Sequence, residues 1–353
     1  MPPKRKPSVS SPTRPKASAP SRQTKKTVTS TTTTTKQAVT GSGIPFPLRL
    51  LLGVLTSLGL SSLLYSLSTE VTAGDLALIS KRLDTWWGVG GLVTWRAVEL
   101  SAGWFLGYDG RDVASIILLS HLPTFNLLST FYAIRPTTVL ASFAITLFST
   151  TFPFVFLHRT NPVHQPRTAA QGTISNRAIL TDKPTTIYTI LAATSIYSVF
   201  LYVSFATWLP VHLVSYFDGI RDLRTAHSGP AGLPLLLLNL LPAGYAARDF
   251  LFVSSTGTSQ PLEPKPSSKD GQGELLFTSL YRKTWGQLPV KTRTLISRTL
   301  VLSSMVMLNT IVQVAGTIEG AELYGAVGWG GIWSLATLVI GLTFHWIEDV
   351  EGV

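Results

Sequence analysis

The stretch "FPLRLLLGVLTSLGLSSLLYSLS", residues 46–68, carries a single charged side chain, that of Arg49. A helix needs about 20 mainly apolar residues to cross the hydrocarbon core of a bilayer. A basic side chain near the end of such a helix can extend to the interface. The stretch therefore predicts a transmembrane helix.

Seven more windows of similar length and composition follow, and together they predict an all-α integral membrane protein with about eight transmembrane helices. Only 13% of the residues are charged, whereas soluble domains carry about 25%. Seven or nine spans are the alternatives. The predicted spans are residues 46–68, 86–108, 113–134, 137–157, 185–208, 233–253, 295–318 and 323–346.

Residues 1–44 form a separate region, rich in Ser, Thr and Pro, basic and without any acidic residue. Such a composition cannot bury enough apolar surface to fold, so we expect a disordered tail ahead of the membrane domain, residues 45–353. The tail lacks the apolar core of a secretory signal and the amphipathic pattern of a mitochondrial presequence. Its "KRK", residues 4–6, is typical of a contact with anionic lipid or with a cytosolic or nuclear protein.

Basic residues are unevenly distributed along the chain, and this predicts its orientation. They concentrate in the tail and in the two long polar loops after the fourth and sixth spans. Because cytosolic segments carry the excess of Lys and Arg, we expect both termini in the cytosol. The endoplasmic reticulum and nuclear envelope are the favoured location; another endomembrane or the plasma membrane is an alternative, and the mitochondrion is less favoured.

The chain offers little for catalysis. It has no cysteine, which excludes disulfides and thiolate chemistry. It has no HExxH motif and no dense cluster of carboxylates and histidines along the sequence. We therefore expect no catalytic residue, no cofactor and no metal ligand, and an enzyme, including one that modifies lipid, is the less favoured class. We also expect no nucleic-acid contact from the membrane domain.

The second span contains two charges, Arg96 and Glu99. Residues three apart share one face of a helix and can pair. A charge at the centre of a bilayer costs about 3 kcal/mol on insertion scales and usually faces the bundle interior. We expect a polar intramembrane site for an ion, a proton or an anionic head group, joined by His121 of the third span. The alternative is an ion pair that only allows the helix to insert.

Two related strings predict tight turns with a glycine in an unusual backbone conformation. They are "YDGRD", residues 108–112, and "YFDGIRD", residues 216–222. The candidate turn residues are Asp109, Gly110, Arg111 and Asp112 in the first string, and Asp218, Gly219, Arg221 and Asp222 in the second.

Two further segments agree at six of ten positions: "NLLSTFYAIR", residues 126–135, and "NLLPAGYAAR", residues 239–248. They lie three spans apart, so an alternating topology would run them in opposite directions, as in the inverted repeats of transporters. Chance agreement between Leu- and Ala-rich windows is the alternative. In a repeat, Asn126 and Asn239 would be equivalent polar groups of one site; otherwise each is an interhelical hydrogen-bond partner.

These features support two functional interpretations. The first is a transporter or channel-like protein that uses the Arg96–Glu99 pair. Its substrate would be a small solute or an ion that the sequence does not identify. The alternative is a non-catalytic scaffold or assembly factor of an endomembrane, which recruits partners through its basic tail.

Overall fold

The computed structural model describes residues 45–72, 74–158, 160–170, 172–258 and 285–350. Within these ranges the chain is helical and has no strands. The basic tail and most of the second long polar loop, with the predictions made for them, lie outside the described residues.

A long helix lies at each of the eight predicted spans, and most helix ends fall within about one turn of the predicted ends. The helices are α1 (Phe46–Leu67), α2 (Trp86–Phe105), α3 (Gly110–Thr130), α4 (Pro136–Leu157), α5 (Lys183–Ala206), α6 (Gly229–Thr256), α7 (Val290–Thr317) and α8 (Leu323–Val350). Short helices at Thr69–Thr72, Arg177–Thr181 and Leu209–Tyr216 lie in the connections.

Among the described residues, seven helices are long and apolar enough to cross a membrane. Helix α2 is long enough at 20 residues, but it is not one of the seven. Its Trp, Gly and Thr residues, together with Arg96 and Glu99, make it less apolar than the others. Composition thus supports seven spans where we predicted eight, and the crossing of a bilayer stays a prediction.

Helix α3 is the central helix of the bundle. In its most apolar window 61% of the residues are buried, against 11% in α1. Helix α3 packs against α4, α6 and α7, whereas α1 packs mainly on the outer side of α4. The other close pairs are α5 with α6 and α7 with α8. Most of the surface of α1 is therefore not covered by other helices of the bundle.

Polar side chains tie neighbouring helices to the backbone of α3 near Pro123. The indole Nε1 of Trp329 donates to the carbonyl of Pro123 at 2.8 Å, and the amide of Asn309 donates to the carbonyl of Ser120 at 3.0 Å. The indole of Trp95 in turn donates to the Asn309 side chain at 2.9 Å. The three bonds connect α2, α7 and α8 to the middle of α3.

The prediction for the first turn string is wrong at Gly110. This residue is the first of α3, and the positive φ of +69° belongs to Gly107 instead. The side chain of Asp109 caps α3 by accepting two backbone N–H groups, at 2.9 and 3.1 Å. Gly110 serves close packing, because a Cβ there would lie 2.6 Å from the side chain of Val155 in α4.

The second string does form the predicted turn. Gly219 has a φ of +76° and lies between the short helix Leu209–Tyr216 and α6. The turn packs on the end of α3, where the backbone N–H of Arg221 donates to the carbonyl of Phe131 at 2.9 Å.

The two segments that suggested an inverted repeat differ in local structure. In the first, α3 ends at Thr130 and Ala133 has a φ of +51°. The second, residues 239–248, lies within the uninterrupted helix α6. The similarity of sequence therefore does not extend to a similarity of backbone.

Candidate functional site

A group of ionisable side chains gathers at the end of the bundle where α3 begins, and we name it the end cluster. Its members come from the start of α3, a loop, the end of α6 and the start of α7. They are Asp109, Arg111, Asp112, His164, Asp249 and Arg298.

The strongest contact in the end cluster joins α3 to α7. Arg298 donates to both oxygens of Asp112, at 2.7 and 2.9 Å, in the bidentate geometry that suits a guanidinium and a carboxylate. The guanidinium also lies over the rings of Tyr108 and Phe250, 4.9 and 4.8 Å from their centroids. Cation–π contacts of this kind stabilise a desolvated cation.

Arg111 connects the start of α3 to the loop and to α6. Its guanidinium donates to the carbonyl of His164 at 2.8 Å, to the hydroxyl of Tyr245 at 3.0 Å and to Asp249 at 3.2 Å. This one side chain thus connects α3 to two other parts of the chain.

The end of α6 adopts a wider helical form. The six residues Arg248–Val253 form a π-helix, a rare local form that occurs mostly as single turns and often at functional sites. There Arg248 donates to the hydroxyls of Thr186 and Thr189 in α5, at 3.0 and 3.2 Å. The next residue, Asp249, accepts from Arg111 of α3.

His164 is fully buried among carboxylates. Its Nε2 lies 3.2 Å from Asp112 and 3.6 Å from Asp109, and its Nδ1 lies 3.7 Å from Asp249. Burial alone would lower the pKa of His164, but the hydrogen bond to Asp112 and the charges of Asp112 and Asp249 outweigh it and raise this pKa to about 9. At neutral pH the imidazole is therefore protonated. Three carboxylates are then matched by two guanidinium groups and one imidazolium.

Three members of the end cluster, Asp109, Asp112 and His164, place oxygen and nitrogen atoms within 4.8 Å of one another, as metal ligands do. Both oxygens of Asp112 are already bonded to the guanidinium of Arg298. The arrangement therefore fits a network of ion pairs better than a metal site.

The geometry of the end cluster favours a role in holding the bundle together. Buried ion pairs contribute less to net stability than their number suggests, because desolvation opposes them, but breaking one leaves a buried charge without a partner. Such a network specifies which helices meet, here α3, α6 and α7 with the loop that contains His164.

The structure also places the predicted intramembrane charges. Arg96 donates to Glu99 at 2.7 Å. The same guanidinium donates to the hydroxyl of Thr150 and, at 3.4 Å, to the carbonyl of Thr146 in α4. Nδ1 of His121 lies 3.6 Å from the second oxygen of Glu99. The structure thus brings Arg96, Glu99 and His121 together on α2 and α3.

The two asparagines lie apart from this group. Asn126 is half-buried on α3, and Asn239 is exposed on α6. Neither contributes to the wall of a cavity that Arg96 and His121 both line.

The candidate turn residues divide between the two ends of the bundle. Asp109, Arg111 and Asp112 belong to the end cluster, and Gly110 lies against α4 beside it. The residues of the second string lie at the opposite end, where the hydroxyl of Tyr132 donates to the carbonyl of Asp218 at 3.2 Å. Asp222 there accepts from the backbone of the following turn at 2.8 Å.

Sequence reasoning missed three members of the end cluster: His164, Asp249 and Arg298. A usable signal was present. With alternating spans, the start of the third and seventh helices, the end of the sixth and the loop after the fourth all lie on one side. Charged residues at these helix ends are therefore expected at the same depth in the membrane, where they can meet.

A protein-family model described as "Bouquet formation protein 3 C-terminal domain" matches residues 182–343, a little under half of the chain. No curated protein and no solved structure matches the chain. The matched part runs from the residue before α5 into α8; it contains Asp249 and Arg298 but not Asp112. Over residues 182–343 the chain is therefore similar to the C-terminal domain of Bouquet formation protein 3.

Proposed function

We propose that this chain is a non-catalytic scaffold of the endoplasmic reticulum and nuclear envelope, which crosses the membrane eight times and has both termini on the cytosolic or nucleoplasmic side. The observation that carries the proposal is the family similarity over residues 182–343. The name of that family refers to bouquet formation, the gathering of chromosome ends at the nuclear envelope in meiosis.

The end cluster supports a scaffold. The carboxylates of Asp249 and Asp112 are bonded to Arg111, Arg298 and His164. These charged groups of the end cluster therefore bind one another. A general acid or base needs access to a substrate proton, whereas Asp112 and His164 are buried and bonded to each other. A fixed meeting point of α3, α6 and α7 is what a platform for partners requires.

The transporter interpretation gains no support from these observations. It depended on the Arg96–Glu99 pair and on the possible inverted repeat. The pair is bonded to α4, and the two repeat segments differ in backbone. The scaffold, the alternative interpretation of the sequence, therefore becomes the main one.

The proposed partners are proteins that meet the face at which the end cluster lies. The expected topology places the basic tail and both long polar loops on this side. The tail would contact anionic lipid or a nuclear protein, and the bundle would hold it at the membrane.

A localisation and deletion experiment tests the proposal. The full chain, fused at its C-terminus to a fluorescent protein, is imaged in meiotic cells of the source organism beside a nuclear-pore marker and a marker of chromosome ends. We expect a nuclear rim that continues into the endoplasmic reticulum, and dispersal of the chromosome ends when the gene is deleted.

Two controls make the result specific. A chain lacking residues 1–44 should keep the rim signal if the membrane domain is sufficient for anchoring. Location at the plasma membrane or in mitochondria, combined with normal gathering of chromosome ends in the deletion strain, would refute the proposed function.

A further inference from the structure

A cavity of about 290 Å³ lies beside the Arg96–Glu99 pair. Its wall comes from α1, α2, α3, α4 and α7, and it extends to Ile79, Ser80 and Ile318 at the end of the bundle opposite the end cluster. This volume is close to the lower limit of ligand pockets, about 300 Å³. The cavity is large enough for a compact polar group and too small for a bulky solute.

The ion pair presents only its cation to this cavity. Arg96 lines the wall with a side chain that is 15% exposed, whereas the Glu99 side chain is 1% exposed and does not line it. Among the described residues, Nε of Arg96 has no hydrogen-bond acceptor, since the bonds of this guanidinium are made by Nη1 and Nη2. Glu99 thus pairs with the guanidinium without lining the cavity, and Nε is left as a donor.

Further donors lie around the same cavity. The hydroxyl of Thr124 is fully buried and has no hydrogen-bond partner among the described residues. The hydroxyl of Tyr65 makes only long contacts, at 3.4 Å, with α4. The other polar residues of the wall are Ser61, Ser80, His121, Thr146, Gln313 and Thr317. A buried polar group without a partner is costly, so the Thr124 hydroxyl would gain from an acceptor bound in the cavity.

We propose that this cavity binds a phosphate group, held by Arg96 and by the hydroxyls of Thr124 and Tyr65. A guanidinium is suited to phosphate because it stays charged and its N–H groups form charge-assisted hydrogen bonds with the anion. The cavity reaches the exposed residue Ser80, so the phosphate can belong to the head group of a phospholipid or to a small soluble phosphate ester. The proposal is independent of the scaffold function.

The test uses the full chain in nanodiscs of neutral phosphatidylcholine, with the midpoint of thermal unfolding as the readout. One arm adds increasing phosphatidic acid to the nanodisc lipid, and the other adds glycerol 3-phosphate to the buffer. We expect a saturable rise of the midpoint in one arm, and that arm identifies the source of the phosphate.

Two variants tie the effect to the cavity. Thr124→Val removes a hydroxyl that has no partner, so it should fold normally and bind about tenfold more weakly, as the loss of one charge-assisted hydrogen bond implies. The double variant Arg96→Gln with Glu99→Gln removes both charges together and should abolish the saturable rise.

Arg135→Gln is the matched control. It removes an exposed arginine at the same end of the bundle but outside the cavity, paired with Asp75, and should leave the midpoint rise unchanged. A saturable rise in neither arm, or an equal rise in wild type, Thr124→Val and the double variant, would overturn the proposal.

Discussion

Asp112 and Arg298 lie 186 positions apart in the chain and share two hydrogen bonds, at 2.7 and 2.9 Å. The contact joins the start of α3 to the start of α7. It also joins a residue outside the part of the chain that resembles the bouquet-formation family to one inside it. The N-terminal helices and the matched C-terminal part are thus connected by a buried ion pair.

Replacement of one partner of this ion pair should be far more harmful than replacement of both. Arg298→Met leaves Asp112 buried without its cation and should lower the free energy of unfolding by about 3–5 kcal/mol. The double variant Asp112→Asn with Arg298→Met should recover part of this loss, since no unpaired charge is left. Thermal unfolding is measured for the wild type, both single variants and the double variant. Together with Asp112→Asn, these proteins form a double-mutant cycle. Strictly additive effects would contradict direct coupling of the two side chains.

The contribution of His164 to stability should depend on pH in one direction. Its pKa is raised from 6.5 to about 9 in the folded protein. The stabilising contribution is therefore complete below about pH 6.5 and is lost as pH rises through about 9. We expect the midpoint of thermal unfolding to fall between pH 7 and pH 10. In His164→Gln this fall of the midpoint should be smaller, because the stabilising imidazolium is missing. If the variant and the wild type had identical pH profiles, the neighbouring carboxylates would not raise the pKa of His164.

Glycine substitutions should separate close packing from open surface. Gly110→Ala places a Cβ 2.6 Å from a side-chain atom of Val155 and 3.3 Å from its backbone, and it should destabilise the protein by about 1–3 kcal/mol. Gly91→Ala is the matched control, because a Cβ there meets nothing within 4 Å and alanine is the better helix former. Chemical or thermal unfolding of both variants checks the contrast. Equal effects would mean that α3 and α4 are not in close contact at Gly110.

Glycosylation mapping tests the proposed topology. The chain has no Asn-x-Ser/Thr acceptor site, so one site at a time can be introduced without background. An acceptor between α1 and α2, or in the segment 218–228 between α5 and α6, should be glycosylated in microsomes. An acceptor in the loop after α4, residues 160–176, should not. The opposite pattern would reverse the orientation. Glycosylation both between α1 and α2 and in the loop after α4 would remove α2 from the set of crossing helices, because only two crossings would then separate these sites.

The positions of the helices could be predicted because apolar length is a local property of the sequence. Even α2 was found, since Trp86 and Trp87 mark its start and Arg96 and Glu99 can pair within one helix.

The end cluster could not be predicted in full, because its members meet only in three dimensions. Asp112 and Arg298 belong to separate helices, and His164 lies in a loop without apolar periodicity. The error at Gly110 has a similar origin. A glycine that serves close packing and a glycine that serves a positive φ look alike in sequence, and only the position of Val155 distinguishes them.

The π-helical turn at Arg248–Val253 holds about one residue more than an ordinary α-helical turn. Two consecutive side chains there point to different neighbours, Arg248 to α5 and Asp249 to α3. Deletion of one residue in this turn would restore ordinary α-helical winding and leave the later residues close to their present orientation, but the contacts to α5 and α3 would no longer start from adjacent positions of a widened turn. A deletion in the α-helical part of α6 would instead rotate every later residue by about 100°. The widened turn is thus the part of α6 that can lose a residue without changing the direction in which the helix ends.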